Sequence, residues 1–336
     1  MTISEIVDPG SIVADPVIEV RGLTKTFRRH KTIVEAVAGI DLTVRRGELV
    51  ALLGPNGAGK STTLRMLTTL LQPTAGTALL AGRSVVDEPD EVRRRIGYVG
   101  QGNGAGHNQR VREELIMQGR CYGLSKIESV TRAVELVDAL DLGELVDRRV
   151  GTLSGGQRRR LDIALGIVHR PEIIFLDEPT TGMDPQSRAN LWDHIGRLRE
   201  QTGATIILTT HYLDEADAMA ERVVVIDHGT VIADDSATAL KANLAGDRIA
   251  LTVEQDTAAI ALADLAGDNP AVDAVVRRGA TVTLRVTRSR QLLAELITLA
   301  AHQGITVTAA EATHPTLDDV FLGLTGRSLR ESATAA

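Results

Sequence analysis

The sequence predicts an α/β core with parallel strands buried on both faces, followed by a smaller α+β domain. Three apolar runs, LVALL at 49–53, EIIFLD at 172–177 and TIILTT at 205–210, are continuous rather than alternating, and the latter two end in polar residues. Strands covered by helices on both sides read this way. Helical stretches such as KSTTLRMLTTL and VREELIMQGRCYGL lie between them, which gathers the polar strand ends along one edge of the sheet. Past about residue 240 the texture changes. RIALTV, TAAIALADLAG, AVDAVVRRG, TVTLRV, SRQLLAELITLAAHQG and ITVTAAEAT follow in β-α-β-β-α-β order, the split βαβ, ferredoxin-like arrangement.

Taken in order, residues 1–16 are polar and Pro-punctuated and read as a flexible arm. VIEVRGLTKTF and IDLTV alternate apolar and polar residues, as half-buried antiparallel strands do. After the strand at 49–53 come a glycine-rich turn and a helix that ends before Pro73. Residues 102–165 are mainly helical in pattern and read as an insert between sheet strands. RVVVIDHGTVIAD reads as strand, Gly turn, strand. The expected division is a core domain over 17–240, an accessory domain over 241–327 and a disordered tail over 328–336, with the boundary near 240–247.

Composition narrows the function. The chain has 336 residues and a net charge of -7, so no basic excess is available to neutralise nucleic-acid phosphates. The runs at 93–95 and 158–160 read as solvated or packing helix surface. Cys121 is the sole cysteine; it allows no intrachain disulfide and is expected as a small buried apolar residue. The N-terminus lacks the cationic start and apolar core of a secretory signal, and no run of about 18 or more apolar residues is present.

The chemistry begins at GPNGAGKS, residues 54–61, which fits G-x-x-x-x-G-K-[ST] between a buried strand and a helix. Gly54, Pro55, Asn56, Gly57, Ala58 and Gly59 can wrap backbone N–H groups around phosphates; Lys60 adds a cation, Ser61 a hydroxyl for Mg²⁺, and the helix its positive end at Thr62. IIFLDE delivers two adjacent carboxylates at a strand end. Asp177 suits a Mg²⁺ partner, and Glu178 a general base for an attacking water. His211 ends TIILTTH and is either a phosphate sensor or a structural ring. Gln101, after IGYVG, is a strand-end amide able to meet Mg²⁺ or the water. TLSGGQRRR at 152–160 looks like a second anion-binding helix start, with Ser154, Gly155, Gly156 and Gln157 at its head.

These motifs, in this order, resemble the ATPase subunit of an ATP-binding cassette (ABC) transporter over residues 17–240. The resemblance rests on the phosphate loop at 54–61, Gln101 of the Q-loop, the signature LSGGQ at 153–157, the Asp177-Glu178 pair, the D-loop TGMD at 181–184 and the switch His211. It implies a P-loop NTPase cassette: a mixed sheet with an antiparallel β part and a helical insert. It also implies ATP and Mg²⁺ as ligands and puts Phe27 of LTKTF at the aromatic that stacks on adenine. It further implies head-to-tail homodimers, in which Ser154, Gly155 and Gly156 of one subunit cap the nucleotide held by Lys60 and Ser61 of the other.

EPTTGMDP and the tail HPTLDDVFLGLTGR at 314–327 narrow the resemblance to the daunorubicin/doxorubicin-resistance type of exporter ATPase. Such a subunit works with a separately encoded integral membrane permease at the cytoplasmic face of the membrane. The tail also reads as an amphipathic helix, with Leu317, Val320, Phe321 and Leu324 on one face able to pack on a partner ATPase subunit. Two departures stand out. Met183 replaces the usual Leu, conserving volume. The stretch after Gln101, GNGAGHNQRVREEL, is glycine-rich and polar where relatives often carry apolar or acidic residues. It faces the permease in that family, and its glycines suggest flexibility.

The leading expectation is therefore an ATP-hydrolysing subunit that powers a membrane exporter. A soluble ABC ATPase in translation or DNA repair is the alternative, although such proteins usually carry two cassettes or a coiled-coil insertion. A binding module that uses ATP only as a switch is a third, opposed by the intact Glu178 and His211.

Overall fold

A computed structural model describes residues 15–29, 32–245, 247–286, 289–313 and 315–325. The flexible arm expected over 1–16 lies outside these apart from its last two residues, and the disordered tail expected over 328–336 lies wholly outside them. The chain divides into two compact units, residues 1–232 and 233–336.

The first unit opens with an antiparallel ribbon, β1 (Pro16–Arg29) and β2 (Thr32–Arg45). β3 (Leu49–Leu53) is buried at every position and runs through the glycine-rich turn into α1 (Lys60–Leu67). β4 (Ala75–Leu80) and β5 (Arg83–Ser84) complete a four-stranded sheet in the order β2-β1-β4-β5. α2 (Pro89–Arg95) starts on Pro89, whose missing N–H is one the first turn cannot use, and leads into β6 (Ile96–Val99).

Next come α3 (Val111–Cys121), α4 (Lys126–Ala139) and α5 (Gly155–Gly166). α4 and α5 each begin on a reciprocal capping box, Ser125 with Glu128 and Ser154 with Gln157. The buried stripe of α3 is Val111, Leu115 and Gly119. Cys121 falls off that stripe and is exposed, contrary to its expected burial.

β7 (Ile173–Asp177), α6 (Pro185–Thr202), β8 (Thr205–Thr210), α7 (Leu213–Met219), β9 (Arg222–Asp227) and β10 (Thr230–Asp235) complete the order. The central sheet runs β10-β9-β3-β8-β7-β6, with β9, β3, β8, β7 and β6 pairing in parallel. Parallel neighbours require crossovers, so the carboxyl ends of β3, β6, β7 and β8 open on one edge. Leu64, Met66 and Leu67 of α1 share one core cluster with Val50, Leu52, Phe175 and Val224 of this sheet and with Val20, Leu23 and Ile40 of the ribbon. The start of α1 is fixed by that packing.

The second unit contains α8 (Ala237–Leu240), a single wide turn at Lys241–Ala245, and then β11 (Asp247–Val253), α9 (Asp256–Gly267), β12 (Val272–Arg278), β13 (Thr281–Val286), α10 (Ser289–His302), β14 (Val307–Thr313) and α11 (Leu317–Thr325). Its strands are antiparallel in the order β12-β13-β11-β14, the ferredoxin-like order. Ile249 and Leu251 of β11, Val282 and Leu284 of β13, Leu262 and Leu296 form its own core. The unit starts earlier than the change of texture near 240–247 suggests, because α11 packs on α8 and on the turn at Lys241–Ala245. α11 buries Leu317, Val320 and Phe321, while Leu324 is 36% exposed. The apolar face expected for a partner subunit is thus covered largely within its own chain, and Leu324 leaves it.

Candidate nucleotide site

Three elements shape the phosphate loop. A Cβ on Gly54 would sit 2.1 Å from the Ile226 carbonyl oxygen, and one on Gly59 (φ +106°) 2.6 Å from that of Ala36. Both contacts leave room for glycine alone. The β9–β10 turn braces the loop: Gly229 N–H donates to Ala58 O at 2.9 Å, and Ala38 N–H to Gly229 O at 2.8 Å. Lys60 is 4% exposed. Its ammonium donates to Gly54 O at 2.6 Å and Pro55 O at 3.1 Å and lies 4.0 Å from Glu178 Oε1. Burial pushes its pKa below the usual lysine range, against the pull of Glu178 and Asp177. Pro55, Asn56, Gly57, Ala58, Gly59, Lys60, Ser61 and Thr62 line a cleft of about 390 Å³ together with Val34, Glu35, Ala36, Gln101 and Glu178.

Asp177, at the end of β7, is fully buried. Its Oδ1 accepts from Ser61 Oγ at 2.8 Å and Thr209 Oγ1 at 2.7 Å, and Gln101 Nε2 lies 3.5 Å away. Gln101 Nε2 also donates to Ser61 Oγ at 3.3 Å. Asp177 Oδ2 has no hydrogen-bond partner, and a buried carboxylate oxygen left so marks a site for a ligand. Ser61 Oγ and the Asp177 carboxylate form a hard-oxygen donor pair that fits Mg²⁺, and the Gln101 amide borders it.

Glu178 has φ +46°, a left-handed backbone that costs on the order of 1 kcal/mol and gathers at functional sites. Its N–H is held by Thr209 Oγ1 at 2.9 Å, and its Oε2 accepts from Thr181 Oγ1 at 3.1 Å. His211 Nδ1 approaches Oε2 at 3.3 Å. His211, then Lys60 and Thr181, hold the Glu178 carboxyl below the usual glutamate range against its burial. The arrangement can bind a polyphosphate, place a cation beside Ser61 and Asp177, and keep an ionised base next to a water.

The structure therefore brings together the phosphate loop, Gln101, Asp177, Glu178 and His211. It does not bring the signature into the same cleft. Ser154, Gly156 and Gln157 line a separate depression with Arg160, Gln186, Ser187 and Asn190, and Gly155 faces a small cavity shared with Gln101 and Glu178. Phe27 is 39% exposed, under the Lys25 ammonium, and pairs across the ribbon with Val34. Its strand partner lines the cleft, whereas Phe27 itself does not.

The glycine-rich stretch after Gln101 is fastened rather than loose. Gly104 and Ala105 N–H donate to Asp162 Oδ1 at 3.0 and 3.3 Å, Gly106 N–H donates to Glu114 Oε1 at 3.1 Å, and Gly151 N–H to His107 O at 2.9 Å.

Sequence reasoning missed Thr209, Arg159 and Glu215. Buried Glu215 accepts from Thr180 Oγ1 and, at 2.9 Å, from Thr210 Oγ1, and it meets Arg188 Nε at 3.3 Å. Arg188 in turn lies 4.1 Å over the Tyr212 ring, next to His211. An acid one helical turn after a strand-end histidine is the signal that could have found Glu215.

Comparison with known proteins agrees with this geometry. Residues 37–181 match the family model described as ABC transporter, and residues 236–325 match that of the ATP-binding protein DrrA1-3-like C-terminal domain. The chain is 42% identical over 320 residues to the daunorubicin/doxorubicin resistance ATP-binding protein DrrA of Streptomyces peucetius, covering 94% of each chain. It is 33% identical over 317 residues to the linearmycin resistance ATP-binding protein LnrL of Bacillus subtilis (strain 168), covering 94% of this chain and all of the other. Among solved structures, a dimeric, post-hydrolysis ATP-binding cassette bound to ADP and Pi superposes with a TM-score of 0.60 at 28% identity, over 65% of this chain and 98% of that one.

Proposed function

The chain belongs to the ATP-binding proteins of the ABC transporter family, and from that premise we propose that it is the ATP-hydrolysing subunit of a membrane exporter. The observation that carries the reading is the convergence of Lys60, Ser61, Gln101, Asp177, Glu178 and His211 on one edge of a parallel sheet. Two relatives that each match 94% of this chain carry resistance names, which supports export of a drug or antibiotic, with a lipid-like molecule as the other candidate. None of these features favours a soluble role in translation or repair. Among the described residues no helix is long and apolar enough to cross a membrane. In this reading the path across the bilayer belongs to a separate permease, with this subunit bound at its cytoplasmic face.

In this reading each residue takes a role. Backbone N–H groups of the loop and Lys60 hold the β- and γ-phosphate oxygens of ATP. Ser61 and Asp177 hold Mg²⁺, with Gln101 at its rim; the ion neutralises charge on the β- and γ-phosphates when bound. Glu178, kept ionised by His211, accepts the proton of the attacking water. Thr209 fixes the Asp177 carboxylate, by donating to its Oδ1, and the Glu178 backbone, by accepting from its N–H. The family resemblance puts Phe27 beside the adenine, although its strand partner Val34, not Phe27, lines the cleft. Two subunits close head to tail, so that Ser154, Gly155, Gly156 and Gln157 of each complete the other's site.

Glu178→Gln is the direct test. The variant keeps ATP affinity and ATP-driven dimerisation while kcat falls by about a hundredfold or more. Phosphate release at the parental rate would remove Glu178 as the base.

A further inference from the structure

Arg159 lies in the second turn of α5, between Arg158 and Arg160, whose side chains are only partly buried. It is 9% exposed, and its guanidinium is spent on backbone. Nε donates to Pro179 O at 2.8 Å, one terminal nitrogen to Gly100 O at 2.6 Å and the other to Asp177 O at 3.2 Å. Gly100 precedes Gln101, while Asp177 and Pro179 flank Glu178. One planar fork thus spans the two segments that carry the water-activating groups, from a helix whose first residues are the signature. Asp162, one turn further along α5, accepts from Gly104 and Ala105 N–H, and Arg158 donates to Ala105 O at 3.0 Å. The loop after Gln101 is therefore tied to the same helix at a second point.

We infer that Arg159 is a positioning residue that fixes the signature helix to Gln101 and Glu178, so that α5 and the water-activating groups move as one body. The inference rests on the proposed ATP-driven dimer. Only arginine can serve three carbonyls from one rigid plane; a lysine ammonium has a different geometry and a shorter reach. The phosphate loop makes no hydrogen bond to Arg159, so nucleotide affinity and signature placement can be separated.

The test uses the full chain with Arg159→Met, which keeps side-chain length and removes the donors. In the Glu178→Gln background, ATP-driven dimerisation should weaken by about tenfold or more while the Kd for MgATP changes by less than about threefold. In the parental background kcat should fall on the order of tenfold to a hundredfold, the scale of a displaced reacting group, with KM little changed. Arg159→Lys should recover part of both losses. Dimerisation and kcat within about twofold of the parent would overturn the inference, as would nucleotide affinity lost in step with dimerisation, which marks a general loss of fold. If Arg159→Met does not fold, Arg159→Lys carries the same measurements and must show the same split. If Glu178→Gln alone fails to dimerise with ATP, the dimer reading fails instead, and the split between kcat and KM still decides the role of Arg159.

Discussion

Lys60 shows how a single side chain joins structure and ligand. Its ammonium is nearly inaccessible to water and is satisfied by Gly54 O and Pro55 O. Hydrogen bonds to charged groups are worth about 1.5–3 kcal/mol, so Lys60→Ala should weaken ATP binding by about tenfold to a hundredfold, measured by calorimetry. Unchanged affinity would contradict the phosphate-loop reading. Glu178 gives the pH dependence. Its pKa lies below the ordinary glutamate value of about 4.3, so its ionised form, and the stability tied to that form, persist above this value and are lost only as pH falls through the lower folded value. His211 is the first cause of the depression and burial opposes it. His211→Ala should therefore move the acid limb of kcat/KM to higher pH, and an unmoved limb would separate His211 from the base. The side chains proposed to react, which the structure gathers on one edge of the sheet, were legible in the sequence because each sits at a strand end or glycine turn whose type announces phosphate chemistry. Arg159 was not, because its partners are backbone carbonyls on segments brought together only by the fold.

At the level of elements, α5 begins with glycines of poor helix propensity and depends on its cap. Ser154 Oγ accepts from Gln157 N–H at 3.3 Å, and Gln157 Oε1 accepts from Ser154 N–H at 3.0 Å. Ser154→Ala removes half of this box and should destabilise the first unit by about 1 kcal/mol, read as a lower midpoint in urea. Ser154→Gly, a tolerated cap, should lose only a few tenths of that energy. An unchanged midpoint in Ser154→Ala would mean that the hydroxyl is not the source. The buried strands were legible because continuous apolar runs of five or six residues have few other uses. Their lateral order was not, since β3 sits between β8 and β9 through contacts with no local signature. The loop after Gln101 was read as flexible from its glycines. The amide hydrogen bonds that fasten it to Asp162 join residues distant in sequence, and the one to Glu114 needs α3 in place beside the loop.

At the level of the whole molecule, the phosphate loop and the signature face different depressions of one chain. That separation makes a prediction which no single-site defect can imitate. In a head-to-tail pair, each nucleotide lies between Lys60 of one subunit and Ser154 of the other, and two-fold symmetry yields two such sites. A Lys60→Ala subunit and a Ser154→Arg subunit would each form inactive homodimers, since every site in either lacks one half. Mixing them concentrates both defects in one site: the loop of the first subunit meets the signature of the second. The other site combines an intact loop with an intact signature. The mixture should therefore hydrolyse ATP although neither component does, with activity rising as mixed dimers form and falling when either variant is in large excess. If loop and signature instead served the same nucleotide within one chain, every subunit in the mixture would carry a defect and no activity would return. Phosphate release across a titration of one variant against the other separates the two arrangements without knowledge of the transported molecule or the permease.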